Sequence, residues 1–440
     1  MKKLVKLAVP VTLASAMLFS SSIAADPQTT PNGPYIENEQ NISLSNYMSN
    51  EELYEKLKHF EEKSNGKMKL EIAGYSNLAP DGYSTDDEKG EPLYVVKFGD
   101  NDPDKKKIMI TTQIHGNEQI GTEAAVDIIQ KLSSNGKEVN EILENVSIWI
   151  MPRINPEGAD NQYEDSWYPT RYTHQTWNPE ELGLPADTPS PWYYNEDGSE
   201  RAQNNNGRIV YGIPGYDQNR DYNPNFDLAI EDLQKSEVAD FLNSDTLNDS
   251  DYGGLYVTAE SRTVTSVFEE FQPDVYVDVH HRGFNKLSDE DNRSVPVQLA
   301  AVVATQEYED PFTGKTYDVD DDVLKLGKQV NALSYLALQK GNSHYGAIQK
   351  YPDVNLPGTA LGAFALNDAA IMLIEIKGQS QTLGQKQNGM LTQTVTQPLF
   401  EVFEGLADGS IHNVDPQIYD DIPKSANRIS DPTTREDKAF

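Results

Sequence analysis

Short apolar runs alternate with segments of helical spacing along most of this chain, and this alternation limits the fold more than any other feature. Apolar runs as continuous as these are typical of strands buried on both faces, and helices between successive strands are typical of a parallel sheet. The sequence therefore predicts an α/β fold with a mixed, largely parallel central sheet and helices on both faces. The strands are predicted at residues 69–73, 92–98, 106–114, 146–151, 274–279 and 370–376, and the helices at 50–60, 118–132, 261–271 and 322–340.

The predicted domain lies between two polar ends. Residues 1–25 combine a basic start, a short apolar stretch and small residues, which is typical of a signal peptide, so we expect a secreted protein. Residues 26–44 are polar and contain proline, which predicts a flexible arm, and residues 406–440 are predicted to form a polar C-terminal tail. The chain contains no cysteine, which excludes disulfides, a thiol nucleophile and lipid attachment through cysteine.

The formal net charge is −34 at pH 7, from 70 acidic and 36 basic residues. A charge of this sign disfavours nucleic acids and anionic membrane surfaces as partners, so we expect no nucleic-acid binding and no stable membrane association. We expect the protein to be monomeric. The acidic runs at residues 245–251 and 318–322 could hold Ca²⁺, although neither matches a complete calcium-loop sequence.

Two of the predicted strands end at histidines. His115 follows the third predicted strand, with Glu118 three residues later, and His280 closes the fifth. Ligands of open α/β sheets bind at the carboxyl ends of the strands, so these side chains are expected to meet there. Two imidazoles and a carboxylate can bind zinc and leave a fourth position for water. His281 could take the place of His280, because alternation along a strand lets only one of the two neighbours face the metal.

Glu375 is a carboxylate within the otherwise apolar run at residues 370–376. A buried carboxylate is costly unless it is paired or used in chemistry. Close to a zinc site, Glu375 could accept a proton from water and pass it to a leaving amine. A salt bridge with Lys377 explains this strand equally well, because residues two apart on a strand share a face.

The segment Gly-Tyr-Asp-Gln-Asn-Arg-Asp at residues 215–221 combines amide, guanidinium and carboxylate groups. The amide of Asn219 beside the guanidinium of Arg220 offers a planar receptor for a carboxylate. Asp217 could hold a ligating histidine in place by a hydrogen bond. This segment therefore indicates substrate binding next to a metal.

Taken together, these motifs resemble those of the zinc carboxypeptidases of the carboxypeptidase A-like family, over residues 45–405. The His-Gly-Asn-Glu sequence at 115–118 resembles the first two zinc ligands of that family. The Asp-Val-His sequence at 278–280 resembles the third ligand, which favours His280 over His281.

Three further segments resemble the family in the same chain order. The Asn-Pro-Glu-Gly sequence at 155–158 is similar to its Asn-Pro-Asp-Gly turn, with Glu in place of Asp. The segment at 215–220 resembles Gly-Val-Asp-Leu-Asn-Arg, in which the last two residues hold the terminal carboxylate of the substrate. The Ile-Glu-Ile sequence at 374–376 resembles the segment that bears the catalytic glutamate.

The resemblance implies a catalytic domain with one Zn²⁺ ion, held by His115, Glu118 and His280. It implies that Glu375 is the general base and acid, rather than the partner of an ion pair. It also implies that Asn219 and Arg220 bind the free C-terminus of a peptide or protein substrate, which would make the protein an exopeptidase.

Two further roles are assigned through the resemblance. The family's oxyanion-stabilising arginine is assigned to Arg171, with Arg201 and Arg208 as competitors because an insertion disturbs the spacing. The family's mobile tyrosine that caps the substrate is assigned to Tyr351, with Tyr345 as the alternative.

The insertion at residues 159–214 is long and rich in aromatic residues. It is predicted to line the rim of the active site, or else to form a surface flap unconnected with substrate. The stretch at 357–361, which corresponds to the family's specificity pocket, carries no charge and suggests neutral or apolar C-terminal side chains, although Asp353 or Asp368 could intrude. Alternative functions are a peptidase of cell-wall stem peptides, an amide deacylase, or an inactive secreted binding protein on the same scaffold.

Overall fold

The computed structural model describes ten segments of the chain. The predicted signal peptide and arm, and residues 426–440 of the predicted tail, lie outside them, as do Arg201 and Arg208. The described residues are 47–76, 90–163, 166–167, 169–196, 214–235, 250–283, 285–304, 307–340, 344–378 and 384–425.

An eight-stranded sheet forms the centre of the described structure, in the order β1-β2-β4-β3-β5-β8-β6-β7. The neighbours from β4 through β3 and β5 to β8 are parallel, as are β6 and β7, whereas β1–β2, β2–β4 and β6–β8 are antiparallel. The predicted mixed, largely parallel sheet is confirmed. Its strands are β1 (Met68–Tyr75), β2 (Pro92–Phe98), β3 (Lys106–Thr112), β4 (Val146–Met151), β5 (Val275–Arg282), β6 (Val297–Ala300), β7 (Gln349–Lys350) and β8 (Ala370–Lys377).

Helices cover both faces of this sheet, as the apolar runs predict. Hydrophobic residues of α1, α2, α3, α5 and α7 form one core with one face of the sheet, and those of α4 and α6 form a second core with the other face. The helices are α1 (Asn50–Lys63), α2 (Ile120–Leu132), α3 (Lys137–Asn145), α4 (Ala259–Phe271), α5 (Asp321–Gln339), α6 (Ala360–Ala365) and α7 (Gly384–Ala407).

Short elements complete the described structure. Two-stranded ribbons pair Gln162–Tyr163 with Ser166–Trp167, Tyr194–Asn195 with Gly215–Tyr216, and Glu307–Glu309 with Thr316–Asp318. Single helical turns are found at Pro156–Ala159, Gln218–Arg220, Ile230–Gln234, Ser410–Asn413 and Gln417–Asp420.

Alternation along β5 decides which side chains reach which face. Val275, Val277 and Val279 lie in the core beneath α2, α5 and α7. Tyr276 lies in the core beneath α4 and α6, so His280, an even number of residues further on, faces that side at the carboxyl edge. The functional edge of the sheet therefore opens beside α4 and α6.

Local signals explain several helix starts. The hydroxyl of Ser49 accepts from the backbone N–H of Glu52, whose carboxylate accepts in return from the N–H of Ser49, which is a capping box at α1. Asp320, in the acidic run that could hold Ca²⁺, accepts from the N–H of Asp322 at the start of α5. The helix predicted from residue 118 begins instead at Ile120, which leaves Glu118 in the preceding loop.

The packed structure continues past residue 405, where we predicted the polar tail to begin. α7 runs to Ala407, and Ile411, Tyr419 and Ile422 are buried against the core of α5 and α7. The boundary predicted at 405 is therefore too early, because a few widely spaced apolar residues anchor an otherwise polar segment. In the described part of the chain, no helix has the length and apolar character needed to cross a membrane.

Glu260, in the first turn of α4, generates a prediction on pH-dependent stability. Its side chain is fully buried, and neither carboxylate oxygen has a hydrogen-bond partner in the described structure. Burial, assisted by the charge of Glu157, raises the pKa of Glu260 from 4.5 to about 8. Between these two pH values the folded state holds a proton that the unfolded state has released, so the free energy of unfolding falls as the pH rises.

We expect Glu260→Gln to remove this pH dependence. The variant should match the parent near pH 4.5 and exceed its stability increasingly up to pH 8, by about 1.4 kcal/mol per pH unit. Denaturant unfolding of both proteins in the same series of buffers measures this difference. A difference that stays constant between pH 5 and pH 8 would contradict the prediction.

Candidate metal centre

Three buried side chains converge at the carboxyl edge of β3 and β5. The Nδ1 atom of His115 lies 2.8 Å from Oε1 of Glu118, and the Nδ1 atom of His280 lies 2.9 Å from Oε2 of the same carboxylate. The two Nδ1 atoms are 3.2 Å apart. Two nitrogens that bind one zinc ion at ~2.0–2.1 Å in a tetrahedral site are separated by roughly 3.3 Å. The arrangement of this group therefore fits a zinc ion.

Each histidine is supported from behind by another carboxylate. Nε2 of His115 lies 3.2 Å from Oδ1 of Asp217, and Nε2 of His280 lies 2.7 Å from Oδ2 of Asp278. A carboxylate oxygen accepts a hydrogen bond, so a neutral imidazole that donates from Nε2 to this carboxylate would have the lone pair of Nδ1 directed to the shared point. This tautomer is the one in which both histidines could bind a metal.

Neighbouring charges keep the acidic groups of this centre ionised. Burial alone would raise the pKa of Glu118, but the two imidazoles hold it well below its ordinary value. Burial opposes ionisation of Asp217 as well, yet the guanidinium of Arg171 lowers its pKa well below the usual range. In the described residues, His115, Glu118 and His280 are the one group of three such side chains close enough to share an ion.

Gly116 lets the His115 loop pass against the Asn-Pro-Glu-Gly turn. A Cβ at Gly116 would overlap the backbone of Gly158, Ala159 and Thr170, so no larger residue fits. The two motifs that resemble the family are therefore in direct contact.

The same turn positions Arg171. The side chain of Asn155 accepts from the N–H of Gly158 and donates to the carbonyl of Arg171, at 2.9 and 3.1 Å. Arg171 donates from Nε and Nη2 to Oδ2 of Asp217, both at 3.0 Å, and its Nη1 lies 3.5 Å from Oε1 of Glu118. The structure thus brings Arg171 to the metal centre, as predicted.

Gln113 and Arg153 support the same loop from the core. Gln113 has a left-handed backbone with φ of 55°, and its Nε2 donates to the carbonyl of Gly116 at 2.7 Å. Its Oε1 accepts from Nε of the buried Arg153, which also donates to Asn50 and Met48 at the start of α1. These contacts link the metal loop to the first helix.

The segment at 215–221 passes beside the centre. Gln218 donates to the carbonyl of Ile114 at 2.6 Å, directly before His115. Asn219 is buried, its Oδ1 accepts from the N–H of Ala360, and its Nδ2 lies 3.3 Å from Nε2 of His280. Arg220 is half-buried next to it. The amide predicted to bind a carboxylate therefore lies at the centre, and the guanidinium of Arg220 donates to the carbonyl of Asn219 beside it.

Glu375 lies on the strand next to His280. In the parallel register of β5 and β8, Glu375 is paired with His280, so the two side chains project from the same face of the sheet. Lys377 is on this face too, paired in register with Arg282. The strand register thus places Glu375 beside His280, which the sequence pattern of the strand alone did not decide.

His281 is held by hydrogen bonds to the start of α2 and to Glu118. Its Nε2 accepts from the N–H of Ile120 at the start of α2, and its own N–H donates to Oε2 of Glu118. Burial lowers the pKa of His281 to about 4, so the ring stays neutral and can accept. The choice of His280 as the third member of the metal group agrees with the structure.

Tyr351 follows β7, where its N–H donates to the carbonyl of Leu299. Its ring is half-buried against the core beneath α4 and α6, on the same side of the sheet as His280. The predicted capping role of Tyr351 stays a prediction.

Sequence reasoning missed Asp278, Gln113 and Arg153 as parts of the centre. Asp278 could have been found, because it is two residues before His280 on the same strand face. Gln113 and Arg153 carry no local signal, since their contacts join segments that are distant in sequence.

Comparison with known proteins agrees with this geometry. The sequence model of the family described as zinc carboxypeptidase matches residues 82–284, which include all three members of the metal group. The chain is 30% identical to carboxypeptidase E of Caenorhabditis elegans over 163 residues, covering 35% of this chain and 27% of that protein. It is 33% identical to carboxypeptidase B of Astacus astacus over 85 residues, covering 19% of this chain and 28% of that protein.

These curated relatives are matched over little more than a quarter of their own length. The fold is also similar to bovine thrombin-activatable fibrinolysis inhibitor, whose solved structure contains a tick carboxypeptidase inhibitor. That match has a TM-score of 0.50 at 15% identity and covers 84% of this chain and 99% of the other. The family match does not cover Glu375 and Tyr351, which lie beyond residue 284. Their positions are therefore known only from the structure of this chain.

We expect Asp278→Asn to lower zinc affinity about 10–100-fold, because the amide lacks the charge that holds His280 in its tautomer. Competition with a chromogenic chelator measures the affinity. Asp274→Asn is the matched control, since Asp274 lies at the opposite end of β5 and contacts Lys106 and Lys107. Equal zinc affinity in the two variants would contradict the role of Asp278.

Proposed function

We propose that the chain, whose residues 82–284 match the zinc carboxypeptidase family, is a zinc-dependent carboxypeptidase that removes C-terminal residues from peptides or proteins. The observation that carries the proposal is the register that sets Glu375 beside His280. This register places a carboxylate that can accept a proton beside the three side chains that fit a zinc ion. A receptor for a free carboxylate lies at the same edge of the sheet.

In this proposal, His115, Glu118 and His280 hold the ion through two nitrogens and a carboxylate oxygen. A zinc ion at this position would supply Lewis acidity. Glu375 accepts the proton of the attacking water and then donates it to the departing amine. A carboxyl group that faces the centre from the adjacent strand is suited to both transfers.

Arg171 is proposed to stabilise the negative charge that develops on the substrate carbonyl oxygen. Its guanidinium is held by Asp217 and is 3.1 Å from Nδ1 of His115, so it lies next to the reacting position. Burial opposes the charged form of Arg171, but Asp217 and Glu118 raise its pKa, so it remains a cation. A fixed positive charge beside a developing oxyanion needs no reorganisation during the reaction.

Asn219 and Arg220 are proposed to bind the C-terminal carboxylate of the substrate. The Oδ1 of Asn219 accepts from the N–H of Ala360, and its Nδ2 lies beside the metal group, 3.3 Å from Nε2 of His280. Because these residues recognise a free carboxylate, the protein would be an exopeptidase. Tyr351 is proposed to cap the bound substrate from the β7 side.

Substrate class and location are part of the same proposal. The basic and apolar composition of residues 1–25 supports secretion. Hydrolysis of a blocked dipeptide with a free C-terminus supports the carboxypeptidase. Cleavage of a cell-wall stem peptide alone, or of an acyl amide alone, would assign the protein to one of those alternatives, and no hydrolysis of any of them would favour a binding protein.

We expect Glu375→Gln to lower kcat by about 10²–10⁴-fold while zinc remains bound, because proton transfer is lost and the metal group is intact. Steady-state hydrolysis of the blocked dipeptide, with zinc content measured on the same sample, gives both quantities. Glu270→Gln is the control, because Glu270 is exposed and pairs with Lys97 away from the centre. Full activity of Glu375→Gln would disprove the assignment of the base.

We expect Arg220→Ala to raise KM for a substrate with a free C-terminus by about 10–100-fold, as loss of charge-assisted hydrogen bonds worth ~1.5–3 kcal/mol implies. Residual hydrolysis of the amidated peptide should stay the same, since it has no carboxylate to bind. Arg293→Ala, which removes an exposed arginine paired with Asp291, is the control. A parent enzyme that cleaves free and amidated peptides equally would remove Asn219 and Arg220 from this role.

A further inference from the structure

Tyr193 contacts the segment that contains Asn219 and Arg220 at both of its ends. Its backbone carbonyl accepts from the N–H of Asp217 at 2.9 Å. Its phenol donates to Oδ1 of Asp221 at 2.8 Å. One residue of the insertion therefore fixes both flanks of the two proposed carboxylate-binding residues.

The contact with Asp221 is rigid because Asp221 is itself fully engaged. This carboxylate is completely buried and accepts from the N–H groups of Val257 and Thr258 and from the hydroxyls of Thr258 and Ser261. These groups belong to the start of α4 and the residues before it. Asp221 thus joins the segment at 215–221 to the scaffold, and Tyr193 joins the insertion to Asp221.

The phenol of Tyr193 is held in place from a second direction. The N–H of Leu255 donates to its oxygen at 3.2 Å. Burial, together with the charge of Asp221, raises the pKa of Tyr193 well above its ordinary value, so the phenol keeps its proton and remains a donor. The phenol of Tyr193 therefore connects the insertion to the scaffold in a fixed position.

The part of the insertion around Tyr193 shares a separate hydrophobic core with residues that follow the insertion. Tyr194 and Asn195 pair with Tyr216 and Gly215 in an antiparallel ribbon, directly before Asp217. A Cβ at Gly215 would overlap the carbonyl of Thr173, so the insertion packs closely on this segment. The buried members of this core are Leu182, Leu184, Tyr193, Tyr216, Leu233, Leu255 and Val257.

We propose that Tyr193 is a positioning residue for the C-terminal carboxylate of the substrate, acting through Asp217 and Asp221 on Asn219 and Arg220 between them. This inference rests on the proposed function. Preorganised donors bind a carboxylate more tightly because less freedom is lost on binding. The described hydrogen bonds of Tyr193 go to Asp217, Asp221 and Leu255 and not to His115, Glu118 or His280, so we expect its effect on binding of substrate.

The test compares Tyr193→Phe with Tyr194→Phe. Tyr193→Phe keeps the ring and loses the bonds to Asp221 and Leu255. Tyr194→Phe changes the next residue, which lies in the ribbon and whose ring packs on Tyr216. We expect Tyr193→Phe to raise KM for the free C-terminus roughly tenfold, with kcat within about twofold of the parent, as loss of one hydrogen bond to a charged group implies. Tyr194→Phe should leave KM unchanged.

Hydrogen exchange of the backbone amides at residues 215–221 supplies a readout that does not require activity. Tyr193→Phe should speed exchange there, and Tyr194→Phe should not. Equal exchange in the two variants overturns the inference, as does an unchanged KM in Tyr193→Phe or an equal loss of kcat. If the parent hydrolyses no peptide, the proposed function fails, and the exchange comparison still decides whether Tyr193 orders this segment.

Discussion

The parallel register of β3, β5 and β8 is the constraint on which the whole centre depends. It brings the loop after β3 next to His280 and sets Glu375 beside His280 on the neighbouring strand. A slip of one residue between β5 and β8 would turn Glu375 to the opposite face, because side chains alternate. The apolar residues of β8 oppose such a slip, since Ile374 would then leave the core beneath α2, α5 and α7. Hydrophobic packing of the strands therefore fixes the position of the carboxyl group of Glu375.

Charge compensation within the centre can come from a proton or from a metal ion. Glu118 and Asp217 are buried, and the groups around them hold their pKa values well below the usual range. Burial alone would lower the pKa of His280, but the carboxylates of Asp278 and Glu118 raise it well above its ordinary value. Buried charge is costly unless it is compensated, so without an ion a proton on His280 compensates part of it, and a divalent ion would replace that proton.

Much of this centre could be predicted because its members end apolar strands. His115, Glu118 and Glu375 stand out against continuous apolar runs, and the sheet edge follows from the alternation of strands and helices. The choice between His280 and His281 needed the family motif, since either could end the strand. The contact of Arg153 with the start of α1 was not predictable, because it joins residues about a hundred positions apart. The short strand β6 and helix α6 were not predicted, because they are too short to show a hydrophobic period.

The insertion at 159–214 has its described ends within the centre, which separates it from an ordinary surface loop. Near its start, Arg171 is fixed by the turn at Asn155, and at its end Gly215 leads into Asp217. In the described part, Trp177 and Tyr193 pack in a hydrophobic core that the insertion shares with Tyr216, Leu233, Leu255 and Val257. Tyr193 holds the segment of Asn219 and Arg220 at Asp217 and Asp221, so changes at this part of the insertion can alter substrate binding. Arg171, in the same insertion, lies 3.1 Å from Nδ1 of His115, so changes there also reach the metal group. Binding of substrate and binding of metal are thus linked at Asp217, which contacts both Arg171 and His115.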